Sequence, residues 1–271
     1  MTENPGMDPA YGFAKLLELE RIEDNLFRGW CHEGRPGHAF GGHVAAQALV
    51  AAGSTVPAER GVHSLHGYFV RPARTDRSIV YSVDRTRDGR SFATRRVAAL
   101  QDGEIVFSLL ASFQRPEPSS EHQSVMPPAP PPDEATEPRR RRWANRFGAI
   151  ELRPFTELAT SARGPRQQMW VRATEPLGDN HLLNVCALTY ISDVRLALTV
   201  RLGHEANGQH PVTTSLDHAV WVHRPFGMDD WLLFDMESPN YAFARGMVRG
   251  EFYTRDGVLV ASVAQEVLMR L

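Results

Sequence analysis

Three short landmarks recur in the same order in the two halves of this chain. Ser64-Leu65, Arg71-Pro72 and Asp102-Gly103 are answered by Ser215-Leu216, Arg224-Pro225 and Asp256-Gly257, at separations of 151, 153 and 154 residues. Ordered landmarks at a nearly constant offset point to an internal duplication, and a duplicated chain is restricted to folds assembled from two copies of one unit. Between the copies the composition breaks: eight prolines fall in residues 115–145, five of them at Pro127, Pro128, Pro130, Pro131 and Pro132, and the run Arg139–Arg142 follows. Proline cannot donate to a strand ladder or sit inside a helix, so this stretch reads as a linker. The expected organisation is an N-terminal repeat at 12–114, the Pro-rich linker at 115–145 and a C-terminal repeat at 146–271. The four arginines read as a solvated charge run.

Each half carries the same coarse plan. Residues 42–52 are rich in helix formers and nearly free of charge, as a buried helix requires. Their counterpart is 180–193, with Asn180 as N-cap and Leu182, Leu183, Cys186 and Tyr190 at helix-like spacing. Strands follow. In the first half they are expected at 63–70, 78–84, 92–101 and 104–113, and in the second at 213–223, 231–238, 242–254 and 258–269. Asp102-Gly103 and Asp256-Gly257 supply hairpin turns. One buried helix followed by an antiparallel meander, written twice, is an α+β plan in which each sheet wraps its helix.

Composition removes several classes of function. Thirty Lys+Arg against 32 Asp+Glu give a formal net charge of −2, which argues against a broad basic face for nucleic acid. Cys31 and Cys186, the only two cysteines, have neither CxxC partners nor metal-ligand spacing, so a reducing, cytoplasmic setting is expected. Met1-Thr2-Glu3-Asn4-Pro5 opens no basic-then-apolar leader. No stretch approaches 18 uncharged apolar residues, so stable membrane insertion is not expected. Met269-Arg270-Leu271 is not a clean Ser-Lys-Leu address.

Four blocks carry a resemblance: Ala39-Phe40-Gly41-Gly42-His43-Val44-Ala45-Ala46-Gln47-Ala48-Leu49, residues 62–72 from Val62 to Pro72, residues 216–226 from Leu216 to Phe226, and residues 249–262 from Arg249 to Ser262. Together they resemble the type II acyl-CoA thioesterases, the TesB-like family, over about residues 12–125 and 165–271. The resemblance implies a double hotdog fold, two helix-in-sheet repeats in one chain. It implies hydrolysis of acyl-CoA to free acid and CoA, without metal or cofactor, and assembly into a homo-oligomer, a dimer or tetramer. The family's Asp, hydroxyl and amide fall on Asp193, Ser215 and Gln265.

The chemistry explains why these residue types are wanted. A thioester carbonyl is electrophilic enough for direct attack by water, provided a base takes the proton and donors meet the developing oxyanion. Asp193 near a helix C-terminus is expected to have a raised pKa, because the dipole end and burial both disfavour its ionised form. Ser215 and Gln265 would fix the water's approach. All three lie in the second copy, which leaves the first as the other wall of the site. There, Gly41-Gly42 at a helix start could present backbone N–H groups to a substrate oxygen, or could serve close packing. His43, where many relatives carry Gln, is a further substrate-binding candidate.

Other constellations rank lower. Ser215, Asp217 and His218 do not make a triad, since adjacent strand residues point to opposite faces. His63, His66, His218 and His223 lack the spacing of a metal site. Arg95, Arg96, Arg245 and Arg249 are candidates for CoA phosphates or for solvated strand faces. Two alternative functions stay open: a non-hydrolytic acyl-CoA or lipid-binding protein on the same fold, and an enoyl-thioester hydratase. The hydratase needs a His–carboxylate pair, and His181 lies too far along its helix from Asp193.

Overall fold

The computed structural model describes residues 7–8, 10–135, 147–158, 161–205 and 207–270. The opening Met1–Pro5, the arginine run Arg139–Arg142 and Leu271 lie outside them. Among the described residues there are four helices: α1 (Phe13–Leu16), α2 (Gly41–Gly53), α3 (His181–Arg195) and α4 (Leu202–Glu205), with a 3₁₀ segment, Leu196–Arg201, joining the last two. The first-half strands are β1 (Glu20–Glu23), β2 (Leu26–Gly29), β3 (Glu33–Arg35), β4 (His38–Ala39), β5 (Gly61–Phe69), β6 (Ile79–Asp88), β7 (Phe92–Gln101) and β8 (Glu104–Gln114). Those of the second half are β9 (Ile150–Leu158), β10 (Arg166–Ala173), β11 (Val212–Ser215), β12 (Asp217–Val222), β13 (Leu232–Ala242), β14 (Arg245–Thr254) and β15 (Leu259–Arg270).

All but β3 and β4 form one antiparallel sheet of 13 strands, ordered β1-β2-β6-β7-β8-β5-β12-β15-β14-β13-β10-β9 with β11 also on β15. The two halves join where β5 pairs β12, Leu65 opposite Val220. Each half wraps a helix, which is the double hotdog arrangement. Both sheet ends are guarded against further pairing: β1 is the exposed charged run Glu20-Arg21-Ile22-Glu23, and β9 carries Pro154 beside a bulge.

The helices α2 and α3 meet antiparallel at the centre, Gly42 against Tyr190 and Gly53 against Leu182. Small residues permit this approach. A Cβ on Gly42 would stand 2.7 Å from the Tyr190 carbonyl oxygen. From Gly42 to Leu49 every α2 side chain is buried, and α3 is buried from Asn184 to Asp193. Asn180 caps α3 as expected, accepting the Leu183 N–H at 3.1 Å. Cys31 and Cys186 are free and buried. Desolvation pushes the Cys31 thiol up to about 12, so it packs as an apolar group beside Gln47 and Tyr81.

Three sequence expectations need correction. Strands β9 and β10 precede α3, where no strand was expected. The stretch 213–223 is two strands broken at Leu216. The helical run His181–Glu205 is 25 residues long and apolar enough to cross a membrane, but 72% of its most apolar window is buried, so it is core. Asp193, Arg195 and Arg201 interrupt it, so the expectation of no long uncharged stretch stands. Finally, the Pro-rich stretch through residue 135 is no free linker. It straps the outer face of the second sheet: Trp170 Nε1 donates to the Pro130 carbonyl at 2.8 Å, Arg153 to that of Pro132, and Gln123 bonds both Gly257 and Leu259. Met126, Ala129 and Ala135 there pack on Trp170, Trp231 and Tyr253.

Candidate active site

Asp193 lies in the last turn of α3, but the helical run continues through Leu196–Arg201 and α4, so the expected free helix end is not there and burial alone opposes its negative charge. Burial pushes the carboxyl up to about 6 against an ordinary 3.8. Opposing groups limit the rise. Gln265 Nε2 donates to Asp193 Oδ1 at 2.8 Å, the Gly42 N–H also donates to the carboxylate, and Ser215 Oγ reaches Oδ1 at 3.5 Å. The amide of Gln265 is the firm contact, and the serine's is long. Oδ2 lies against Gly41, where a Cβ would stand 2.9 Å away.

The strand break at Leu216 puts Ser215 here. Leu216 N–H donates to the Glu266 carbonyl and its own carbonyl accepts from Phe69 N–H, both at 2.9 Å, so its backbone bridges β15 and β5. Asp217 Oδ1 accepts the Glu266 N–H at 2.6 Å. Ser215 pairs Val267 while Ala219 pairs Ala264, so the register slips by one residue across the break. This irregularity turns Ser215 inward toward Asp193 and places Gln265 beside it.

The candidate site lies between the repeats, with the first repeat as its other wall, in keeping with the sequence expectation. A cavity of about 540 Å³ runs between Phe40, Gly41 and Val44 of the first repeat and Asp193, Leu198 and Ser215 of the second. The packing reading of the glycines holds, since Gly42 permits the helix contact; its N–H is directed at the Asp193 carboxylate and not at a substrate oxygen, while Gly41 lines the cavity. His43 does not reach it. It is fully buried, Nε2 on the Leu16 carbonyl at 2.6 Å and Nδ1 accepting from His32 N–H, and desolvation lowers it to about 3, a neutral core histidine. Three arginines that sequence reading passed over, Arg35, Arg71 and Arg201, line the cavity walls.

Among the described residues the duplication supplies no second copy of the hydroxyl and amide. Val62 pairs Phe113 as Ser215 pairs Val267, and Ala111 faces Arg95 as Gln265 faces Val248. The structural offsets are therefore 153 and 154, and the Ser64–Ser215 landmark is two residues out of register. Apolar Val62 and Ala111 replace the hydroxyl and the amide. Arg95, a candidate for CoA phosphates, is 1% exposed. Its guanidinium donates to the Thr55 hydroxyl and carbonyl at the end of α2 and pairs with Asp88 at 2.7 Å. Arg96, Arg245 and Arg249 pair with Asp84, Glu266 and Glu237.

The histidines disperse. His63 bonds Ser112, His66 Asp217, His218 Ser192 and His223 Ser262, so the four do not converge on one point. His181 bonds the Val62 carbonyl at 2.9 Å, at the far end of α3 from Asp193.

Residues 29–114 match the family described as the acyl-CoA thioesterase N-terminal domain, and residues 142–268 that described as acyl-CoA thioesterase. The chain is 37% identical over 280 residues to acyl-coenzyme A thioesterase 8 of Homo sapiens, covering 94% of this chain and 88% of that one. It is 33% identical to acyl-CoA thioesterase 2 of Haemophilus influenzae, over 94% and 96% of the two chains. The crystal structure of the acyl-CoA thioesterase II TesB2 from Mycobacterium marinum superposes with a TM-score of 0.86 at 42% identity, over 96% of this chain and 98% of that one. With both repeats matched and the fold shared, the chain belongs to the acyl-CoA thioesterase family, in its TesB-like double hotdog form.

Proposed function

We propose that the chain hydrolyses fatty acyl-CoA to the free fatty acid and CoA by direct attack of water, with Asp193 as general base and Ser215 and Gln265 as the groups that hold the water. The observation that carries this reading is the carboxyl of Asp193: buried at a cavity wall, poised near neutrality, and bonded to both partners. A base of about 6 is ionised at neutral pH yet basic enough to take a proton in the transition state. The amide oxygen of Gln265 is buried with no partner among the described residues, an acceptor suited to one proton of the water. Gly41, at the N-terminus of α2, is suited to meet the thioester carbonyl oxygen.

The step balances without a covalent enzyme intermediate. The water oxygen bonds the carbonyl carbon as its proton passes to Asp193; the C–S bond then breaks, and the sulfur leaves with the electron pair and takes the proton back. Hydrolysis of a panel of acyl-CoA chain lengths, followed by thiol detection, tests the reading. We expect thiol release by the wild type and its loss in Asp193→Ala; tight binding without release would instead make the protein an acyl-CoA binder. Homo-oligomeric assembly belongs to the same proposal. It is supported by the large apolar side chains Tyr68, Leu110 and Trp221, about half exposed on the outer face of the central strands. Light scattering on the purified protein checks it, and a monomer would remove this part.

A further inference from the structure

Three arginines line the cavity that holds Asp193, and two of them are neutralised. Arg71 pairs with Glu104 at 2.6 Å and Arg201 with Glu205 at 2.7 Å. Arg35 differs. Among the described residues no carboxylate lies within ion-pair distance of it, and its hydrogen bond is Nη1 to Thr214 Oγ1 at 3.4 Å, a long contact to the residue preceding Ser215.

The guanidinium is delivered by a fixed device. Strands β3 and β4 form a separate two-stranded hairpin. It is tied down by Phe40 N–H to the His32 carbonyl at 3.0 Å, Ala39 N–H to the Ala73 carbonyl at 2.8 Å, and a bridge from His38 to Arg74. Gly34 keeps it tight, since a Cβ there would stand 2.7 Å from Phe40 Cα. A pinned hairpin of the first repeat thus carries an uncompensated cation across the interface onto the strand that bears Ser215. Arg35 is exposed at the rim of the cavity, and a cation held there in a fixed place costs conformational entropy and is useful where negative charge develops. Its field already reaches the Asp193 carboxylate, where it favours the ionised form.

We propose that Arg35 is a further catalytic residue, whose guanidinium stabilises the negative charge that develops on the thioester as water attacks and that leaves on the sulfur. This rests on the reading of Asp193 as the base for a water. It places the cation toward the reacting centre and not at the CoA phosphates, because Arg35 lines the same cavity as Gly41, Asp193 and Ser215 and its charge is felt at the Asp193 carboxylate. It also gives the first repeat a part in the chemistry.

The test uses the full-length protein, with Arg35→Ala and Arg35→Lys, on two thioesters of one acyl group: the CoA ester and the N-acetylcysteamine ester, which lacks phosphates. An interaction made in the transition state is lost from kcat, on both substrates alike. The expected result is a fall in kcat of about 10- to 100-fold for Arg35→Ala on both esters, with partial recovery in Arg35→Lys. Unchanged kcat overturns the proposal. So does a loss confined to KM for the CoA ester, which would make Arg35 a phosphate anchor. Asp193→Asn run alongside separates the two failures: if it stays active, the underlying reading fails; if it is inactive while Arg35→Ala is not, the arginine's role alone fails.

Discussion

Replacing Asp193 by asparagine should stabilise the fold while removing the base. The carboxyl is raised from 3.8 to about 6, with burial as the largest cause, so the native state binds its proton more tightly than the unfolded chain. The sign follows from that difference. Between about pH 4 and 6 the native state holds the proton while the unfolded state has released it, so stability falls as pH rises through this window. Above about pH 6 the full cost is present, roughly 3 kcal/mol for a shift of about two units. An asparagine has no charge to desolvate, and its Oδ1 can still accept from Gln265. Its amide would face the Gly42 N–H, a donor against a donor, which returns part of the gain. The expected net stabilisation is about 1–3 kcal/mol at pH 7.5. Urea unfolding of both proteins reads it directly, and the gap should shrink by roughly 2 kcal/mol at pH 4, where the ionisation cost has largely vanished. A variant less stable than the wild type at pH 7.5, or a gap that does not change with pH, would refute the reasoning.

Other expectations follow from the same geometry. Gln265→Leu removes a hydrogen bond to an ionised carboxylate worth about 1.5–3 kcal/mol, so the acidic limb of kcat/KM against pH should move upward by about one to two units. Gly42→Ala puts a methyl 2.7 Å from the Tyr190 carbonyl and should cost about 1–3 kcal/mol by thermal unfolding, with activity falling as the Gly42 N–H shifts away from Asp193. Arg95→Leu removes the bonds that close the end of α2 and should cost about 2 kcal/mol in urea. Its kcat per folded molecule should be unchanged, since Arg95 lies at the opposite end of α2 from Gly41.

The elements that sequence reading located are those with strong local signals. Residues 42–52 and 180–193 have helix formers, apolar spacing and, for Asn180, a cap, and the observed helices differ from them by a residue or two. Asp102-Gly103 takes positive φ at both positions, as its hairpin requires, whereas at Asp256-Gly257 only the glycine does. Strands β9 and β10 were hidden because Pro154 interrupts one, and Gln167 to Val171 in the other are buried without alternation. The Ser64–Ser215 match was out of register because both halves bulge at that point, between Val62 and Ser64 in the first and across Leu216 in the second. A bulge adds a residue without changing a short motif, so the pairing is visible only in the ladder.

The candidate site divides in the same way. Asp193, Ser215 and Gln265 were named from motifs that resemble a family, and they stand together in space. The parts that come from packing between repeats were out of reach: the N–H of Gly42 on a carboxylate 151 residues away, the burial of His43 against Leu16, and the placing of Arg35 beside Thr214. Nothing in the local sequence distinguishes Arg35 from Arg95. One enters the cavity unpaired, while the other closes a helix end in the core.

The activation of water by Asp193 is tested most directly by the pH dependence of kcat/KM for acyl-CoA hydrolysis in the wild type and in Asp193→Asn. The account predicts that wild-type activity rises with pH to a plateau above about 6, as the carboxyl ionises. In Asp193→Asn that limb should vanish and the plateau should fall by about 10²- to 10⁴-fold. Near-wild-type rates in the variant, or the same limb persisting without the carboxyl, would contradict it.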